Sequence, residues 1–206
     1  MPVQFSTGPS YLPSPGEIHV SIVLLVDTSE SMSGVPIEEV NQALATFGQV
    51  LKEDLLAPGR AEICMISFNS NVEEVMDFRS PFYYKVPLLS AKGSTAFNEA
   101  IEAGLDAIES RKAEYKVQGV SYYRPWLFVL TDGVATDTER ENATKERLRT
   151  AIEKKKVMYM PIGIGNVDVA KLQEYYPDEV QEKRVLEWTD FRKVLPWVVR
   201  GWRDEG

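Results

Sequence analysis

A near-continuous run of aliphatic and β-branched residues at positions 19–26 constrains the fold of this chain more than any other feature. The run, HVSIVLLV, lacks the polar alternation of a strand that faces solvent on one side. Strands of this kind are buried on both faces, as they are in a parallel sheet covered by helices. We therefore expect an α/β fold in which helices cover both sides of this strand.

The rest of the chain alternates between strand and helix patterns. Further buried strands are predicted at 61–68, 126–130 and 157–164, with a shorter strand at 184–187. Helices are predicted at 36–57, 97–108, 138–156, 169–175 and 190–202 from the spacing of their apolar residues. Thr138 and Glu141 have the spacing of a capping box at the start of the third of these helices.

One strand is predicted to run against the others. The turn Asn69-Ser70-Asn71 is so short that 72–78 can pair with 61–68 only in the antiparallel sense, which indicates a strand at the edge. The predicted class is therefore α/β, with a doubly wound, mostly parallel central sheet, one antiparallel edge strand and helices on both faces.

Length and composition fit one globular domain. The chain has 206 residues, of which 44% are hydrophobic and 26% charged, and both fractions are typical of globular proteins. Residues 1–16 are rich in Pro, Ser and Gly and lack periodicity. We therefore expect an extended arm at 1–16 and a single domain at 17–206.

Charge and apolar runs disfavour nucleic acid, membrane and secretion. The net charge is −8 and the basic run at 154–156 is short, so we expect no binding to nucleic acid. The longest aliphatic run, at 22–26, is far shorter than the ~20 residues of a membrane span. No Lys or Arg precedes Lys52, and the single cysteine, Cys64, cannot form an intrachain disulfide, so we expect a cytoplasmic protein.

Carboxylates and hydroxyls follow two of the predicted strands. Asp27, Ser29 and Ser31 follow the first strand, Asp132 follows the fourth, and Thr95 comes just before a helix. Ligands bind at the carboxyl ends of strands in such sheets, so these side chains are predicted to converge. Taken singly, Asp, Ser and Thr at these positions are also ordinary helix caps and turn formers.

The chemistry of this set favours a hard divalent cation. Oxygen ligands without imidazole or thiolate suit Mg²⁺, Ca²⁺ or Mn²⁺. Two carboxylates ~5 Å apart repel by about 3 kcal/mol at an effective dielectric constant of about 20, and a divalent ion removes that cost. The sequence therefore predicts a metal site at this edge of the sheet.

The whole pattern resembles the metal-ion-dependent adhesion site of a von Willebrand factor type A domain. It reads Asp27-x-Ser29-x-Ser31, then Thr95 in Gly-Ser-Thr-Ala and Asp132 in Leu-Thr-Asp-Gly, and the resemblance extends over about 18–202. The resemblance implies that Ser29 and Ser31 bind the metal directly and that Asp27 acts through water. Thr95 and Asp132 would bind it directly or through water, depending on the conformational state.

The resemblance also implies the ion and the kind of partner. The expected ion is Mg²⁺, with Mn²⁺ or Ca²⁺ as alternatives, and an Asp or Glu of a protein partner would fill the last coordination position. This chain departs from the family pattern at Glu30 and Ser94, where glycine is frequent. Neither residue replaces a ligand, but Glu30 adds negative charge beside the site.

Two further segments are similar to a bacterial subgroup associated with tellurite resistance and stress signalling. They are Pro36-Ile37-Glu38 with Asn41-Gln42, and the ending at 191–202. This similarity implies a role in a stress-response signalling complex, together with a kinase and a phosphatase.

Three functional classes fit these residues, and a metal-dependent protein-binding module without catalytic activity fits best. The first alternative is a Mg²⁺-dependent phosphohydrolase that uses Asp27, but Ser29 stands where a haloacid-dehalogenase-like enzyme has its acid–base aspartate. The second is a scaffold without metal. Nucleotide enzymes are disfavoured because the chain has no Walker A motif and no GxGxxG after the first strand. The aromatic residues at 82–84 fit either a binding surface near the site or an anchor for a long loop.

Overall fold

A computed structural model describes residues 16–55, 57–133, 135–165, 167–181 and 183–187. Within these ranges the strands are β1 (Val20–Asp27), β2 (Ala61–Phe68), β3 (Val72–Arg79), β4 (Trp126–Thr131), β5 (Met158–Gly163) and β6 (Leu186–Glu187). They form one sheet in the order β3-β2-β1-β4-β5-β6. The pairing of β2 with β3 is antiparallel and the other pairings are parallel. The predicted sheet, with one antiparallel edge strand, is confirmed.

The helices of the described residues are α1 (Val35–Glu53), α2 (Ala57–Arg60), α3 (Phe97–Gln118), α4 (Glu141–Glu153) and α5 (Val169–Gln173). The capping box predicted for the helix at 138–156, which is α4 of the structure, is wrong. Thr138 begins a separate 3₁₀ turn, and the residue at the cap of α4 is Arg140, which makes no side-chain capping bond. The predicted arm and the predicted helix at 190–202 lie outside the described residues, apart from the last residue of the arm.

Two apolar layers enclose β1, and they explain why most of its residues are apolar. All eight residues of β1 are buried. The even-numbered side chains, such as Leu24, lie in one cluster with Leu44 of α1. The odd-numbered Val23 and Leu25 lie in another cluster with Ile101 of α3. Helices therefore cover both faces of the sheet, as the sequence predicts.

The long helix α3 lies close against the sheet and is fixed to it at two places. A Cβ on Gly104 would stand 2.7 Å from Leu127 Cδ1 and 3.2 Å from Leu25 Cδ1, so a glycine is needed for this approach. Farther along, the buried Arg111 pairs with the buried Glu62 of β2, and its Nε donates to Glu62 Oε2 at 3.2 Å. These contacts fix the direction in which the start of α3 points.

Among the helices that the structure describes, none combines the length and the apolar character needed to cross a bilayer.

Candidate metal site

The candidate site lies where the order of the strands reverses. β1 and β4 are neighbours in the sheet, and Val26 is paired with Leu130. The next residues along each strand are Asp27 and Thr131, and Asp132 follows directly. The crevice between the segments that follow β1 and β4 is the usual position of a ligand in open α/β sheets.

Asp27 is fully buried at the end of β1, and both of its carboxylate oxygens accept hydrogen bonds. Oδ1 accepts from the backbone N–H of Ser29 at 2.8 Å, and Oδ2 accepts from Thr131 Oγ1 at 2.6 Å. Burial raises the pKa of Asp27, the hydrogen bonds from Ser29 and Thr131 oppose this rise, and the charge of Asp132 adds to it. A positive charge at this edge would therefore favour the ionised form.

A continuous line of side-chain oxygens connects the loop after β1 with the loop after β4. Ser29 Oγ and Ser31 Oγ share a hydrogen bond at 3.1 Å, and Ser31 Oγ donates to Asp132 Oδ1 at 2.8 Å. Ser29 is buried, whereas Ser31 is exposed. The line of oxygens therefore connects a buried hydroxyl, that of Ser29, with an exposed one, that of Ser31.

Thr95 borders the same space from a third loop. It is buried and lies two residues before α3. A Cβ built on Gly133 would stand 3.6 Å from Ser31 Oγ and 3.9 Å from Thr95 Oγ1, so both hydroxyls face the space beside Gly133. The structure thus brings all five of the residues predicted from the sequence to one edge of the sheet.

Backbone and amide contacts hold two of these loops against each other. Asn69 Nδ2 donates to Thr28 Oγ1 at 3.1 Å, and the Asn69 carbonyl accepts from Ala96 N–H at 2.8 Å. Glu30 N–H donates to the Gly93 carbonyl at 2.9 Å, and Gly93 has a φ of +77°, which only glycine adopts without strain. The loop with Ser29 and the loop with Thr95 therefore form one assembly.

Two residues that support the site are not predicted from the sequence. Thr131 is buried, and besides donating to Asp27 it accepts from Gly133 N–H at 3.1 Å. Its hydroxyl, directly before Asp132, is a sequence signal for this role. Thr136 accepts from Thr95 N–H at 3.1 Å, and its own N–H donates to the Thr95 carbonyl at 2.9 Å. No local pattern indicates this second contact, because the two residues are 41 positions apart.

The aromatic residues at 82–84 do not border the site. Tyr84 is buried, lies over Gly48 and packs edge-on against Phe47. Its carbonyl accepts from Lys52, near the end of α1. α1 begins near the site and its 19 residues span about 28 Å, so these aromatics lie at the far end of the molecule. Tyr84 therefore anchors a loop, which is one of the two roles considered for the aromatic residues at 82–84.

The residues at this edge fit a hard divalent cation. Adjacent ligands of an octahedral Mg²⁺ ion stand about 3 Å apart. Here Ser31 Oγ lies 3.1 Å from Ser29 Oγ and 2.8 Å from Asp132 Oδ1. Nowhere in the described ranges do three or more His, Cys, Asp or Glu side chains gather to hold a metal. Any ion at this edge would therefore depend on the serine and threonine hydroxyls as well as on the two carboxylates.

Solved structures share this fold. The minor pilin PilB from Streptococcus sanguinis, in a mutant form, aligns with a TM-score of 0.62 at 10% identity over 94% of this chain and 65% of the pilin chain. The ArnB paralog VWA2 from Sulfolobus acidocaldarius aligns with a TM-score of 0.58 at 17% identity, over 87% of this chain and 44% of the VWA2 chain. Proximal thread matrix protein 1 from the mussel byssus has been solved with zinc in its metal-ion-dependent adhesion motif. It aligns with a TM-score of 0.59 at 16% identity, over 88% of this chain and 45% of the mussel chain.

This chain spans between 44% and 65% of those solved chains. Comparison with curated proteins finds no match. The family model described as von Willebrand factor type A domain matches residues 21–196, which is well over half of the chain. The chain therefore belongs to the von Willebrand factor type A domain family.

Proposed function

We propose that this domain is a protein-binding module that depends on a divalent metal and has no catalytic activity of its own. Mg²⁺ is the proposed ion, with Mn²⁺ or Ca²⁺ as alternatives, and a partner's Asp or Glu completes its coordination. The observation that carries the proposal is the line of side-chain oxygens from Ser29 through the exposed Ser31 to Asp132. The buried carboxylate of Asp27 lies behind it and accepts from the Ser29 backbone N–H. When bound, the ion supplies a positive charge that attracts a carboxylate.

The charges at the site support a cation. Asp27 and Asp132 lie close enough for the charge of Asp132 to raise the pKa of Asp27. Within the described residues, the hydrogen-bond partners of these two carboxylates are hydroxyls and a backbone N–H, with no lysine or arginine among them. The zinc at the corresponding motif of the mussel protein is consistent with this proposal.

The surroundings of Asp27 support a binding role over phosphoester hydrolysis. A phosphoryl acceptor must be reached by its substrate, but the side chain of Asp27 is fully buried and is held in place by a hydrogen bond to each oxygen. Position 29 is a serine, so no acid–base carboxylate stands two residues further on. The non-enzymatic proposal follows from this arrangement.

The cellular setting is proposed from the resemblance to the tellurite-resistance subgroup. We place the domain in a cytoplasmic stress-response signalling complex that contains a kinase and a phosphatase. The net charge of −8 supports a protein partner over nucleic acid or an anionic membrane. One residue of the subgroup pattern, Asn41, has a structural role, because its side chain exchanges two hydrogen bonds of 2.9 Å with the backbone of Leu89.

Addition of Mg²⁺ or Mn²⁺ should stabilise the domain. At about 100 times the dissociation constant, the ion adds about 2.7 kcal/mol to the free energy of unfolding, which raises Tm by roughly 5–10 °C. Asp132→Ala should abolish most of this shift in a thermal melt, whereas Asp178→Ala, at an exposed aspartate outside the site, should keep it. Equal shifts in wild type and Asp132→Ala would contradict the assignment.

Gly133→Ala should weaken metal binding without unfolding the protein. The added methyl group would lie in ordinary contact with Ser31 Oγ and Thr95 Oγ1, in the space that the ion requires. We expect Mn²⁺ affinity, measured by calorimetry, to fall about tenfold or more, with Tm in EDTA close to that of wild type. The matched control is Gly59→Ala, where a Cβ meets nothing within 4 Å. Unchanged Mn²⁺ affinity in Gly133→Ala would show that the ion does not occupy this space.

Partner binding should require the ion. Proteins retained from a cell lysate on the immobilised domain in Mg²⁺ should be released by EDTA, because the ion itself is the contact. A rise in salt should release them poorly, unlike partners held by diffuse charge. Thr95→Ala should lose the same proteins, and Thr46→Ala, on the outer part of α1, should keep them. Retention that is insensitive to EDTA would count against the mechanism.

The purified domain should not hydrolyse p-nitrophenyl phosphate in Mg²⁺, since Asp27 is fully buried and has no acid–base carboxylate two residues further on. Release of nitrophenol is followed with and without the domain at about 1 mM substrate, near the upper end of typical KM values. Turnover that Asp27→Asn abolishes and Thr95→Ala preserves would instead establish the hydrolase alternative.

A further inference from the structure

The helix that follows Thr95 is capped from a distant part of the chain. The residue at the N-cap of α3 is Ala96, which makes no side-chain capping bond. The carboxylate of Asp137 takes this role. Its Oδ1 accepts from Asn98 N–H at 3.1 Å and its Oδ2 accepts from Glu99 N–H at 2.8 Å. Two free N–H groups of the first turn are thus satisfied by a residue of the loop after β4.

Asn98 strengthens this connection. It is fully buried, and its Nδ2 donates to both Oδ1 and the backbone carbonyl of Asp137 at 3.1 Å. Its Oδ1 accepts from Tyr175 Oη at 2.7 Å, so the orientation of the amide is fixed by groups on two sides. Asp137 is therefore joined to the start of α3 by two backbone donors and one buried side chain.

The same short segment also holds Thr95 itself. Thr136, next to Asp137, exchanges hydrogen bonds with the backbone N–H and carbonyl of Thr95. Asp132 lies only five positions before Asp137, on the same loop. A serine or threonine at position 96 would cap α3 locally, but it would not tie Thr95 to the loop that carries Asp132.

We propose that Asp137 is a positioning residue for the metal site, which it keeps assembled by joining the helix that follows Thr95 to the loop of Asp132. This inference rests on the proposed metal-binding function. Asp137 acts through Thr95 and does not itself contact the ion. Residues that orient metal ligands from behind typically change metal affinity about 10- to 100-fold when they are replaced.

The test compares Asp137→Asn with a second aspartate that caps a helix far from the site. Asp54 Oδ1 accepts from Ala57 N–H at 2.9 Å at the start of α2, beyond the far end of α1. Asparagine at position 137 keeps the shape but presents an amide N–H₂ to one of the backbone donors. Mn²⁺ affinity is measured by calorimetry, and Tm is measured in EDTA for wild type, Asp137→Asn and Asp54→Asn.

The expected result is a loss of Mn²⁺ affinity of about tenfold in Asp137→Asn and none in Asp54→Asn, while Tm in EDTA falls in both variants because each loses part of a helix cap. Wild-type affinity in Asp137→Asn would overturn the inference and leave the metal function intact. Absence of Mn²⁺ binding in wild type would overturn the metal function and this inference with it.

A second variant keeps the test decisive if Asp137→Asn does not fold. Thr136 is exposed, so Thr136→Val preserves the fold while it removes the hydroxyl that accepts from Thr95 N–H. A smaller loss of Mn²⁺ affinity in the same direction supports the inference. Affinity equal to that of wild type overturns it.

Discussion

The parallel pairing of β1 with β4 is the constraint on which the functional edge of this molecule depends. It brings Asp27 and Asp132 to the same end of adjacent strands, with the first carboxylate fully buried. Two negative charges in this position destabilise the fold unless donors surround them. The N–H of Ser29 and the hydroxyls of Thr131 and Ser31 are such donors. The site is therefore organised before any ion or partner arrives.

The helix α3 gives this organisation its rigidity. Thr95 precedes its first turn, Asp137 caps that turn, Gly104 allows close packing on the sheet, and Arg111 pairs with Glu62 near its other end. A ligand carried at the start of such a helix has little freedom to move independently of the sheet. The von Willebrand factor type A fold of this chain thus provides a preformed edge at which the proposed ion would present an open coordination position.

The sequence was sufficient to predict the sheet and the convergence of the five candidate residues at one edge of it. The near-continuous apolar run at 19–26 predicted the buried strand and the short turn at 69–71 predicted the antiparallel edge, because both are local patterns. The supporting contacts were not predictable in the same way. Asp137 and Thr136 bond to residues about 40 positions away. The spacing of Thr138 and Glu141 predicted a capping box, but Thr138 lies in a 3₁₀ turn before the helix. Such contacts are set by tertiary packing.

Anomalous diffraction from a crystal of the domain saturated with Mn²⁺ would test the proposed metal site most directly. We expect one strong anomalous peak beside Gly133, within about 2.0–2.5 Å of the Ser29 and Ser31 hydroxyl oxygens. The oxygens of Thr95 and Asp132 should lie around the same peak, either as ligands or one water molecule away. No peak at this position, or a peak bound only by other residues, would contradict the proposed site.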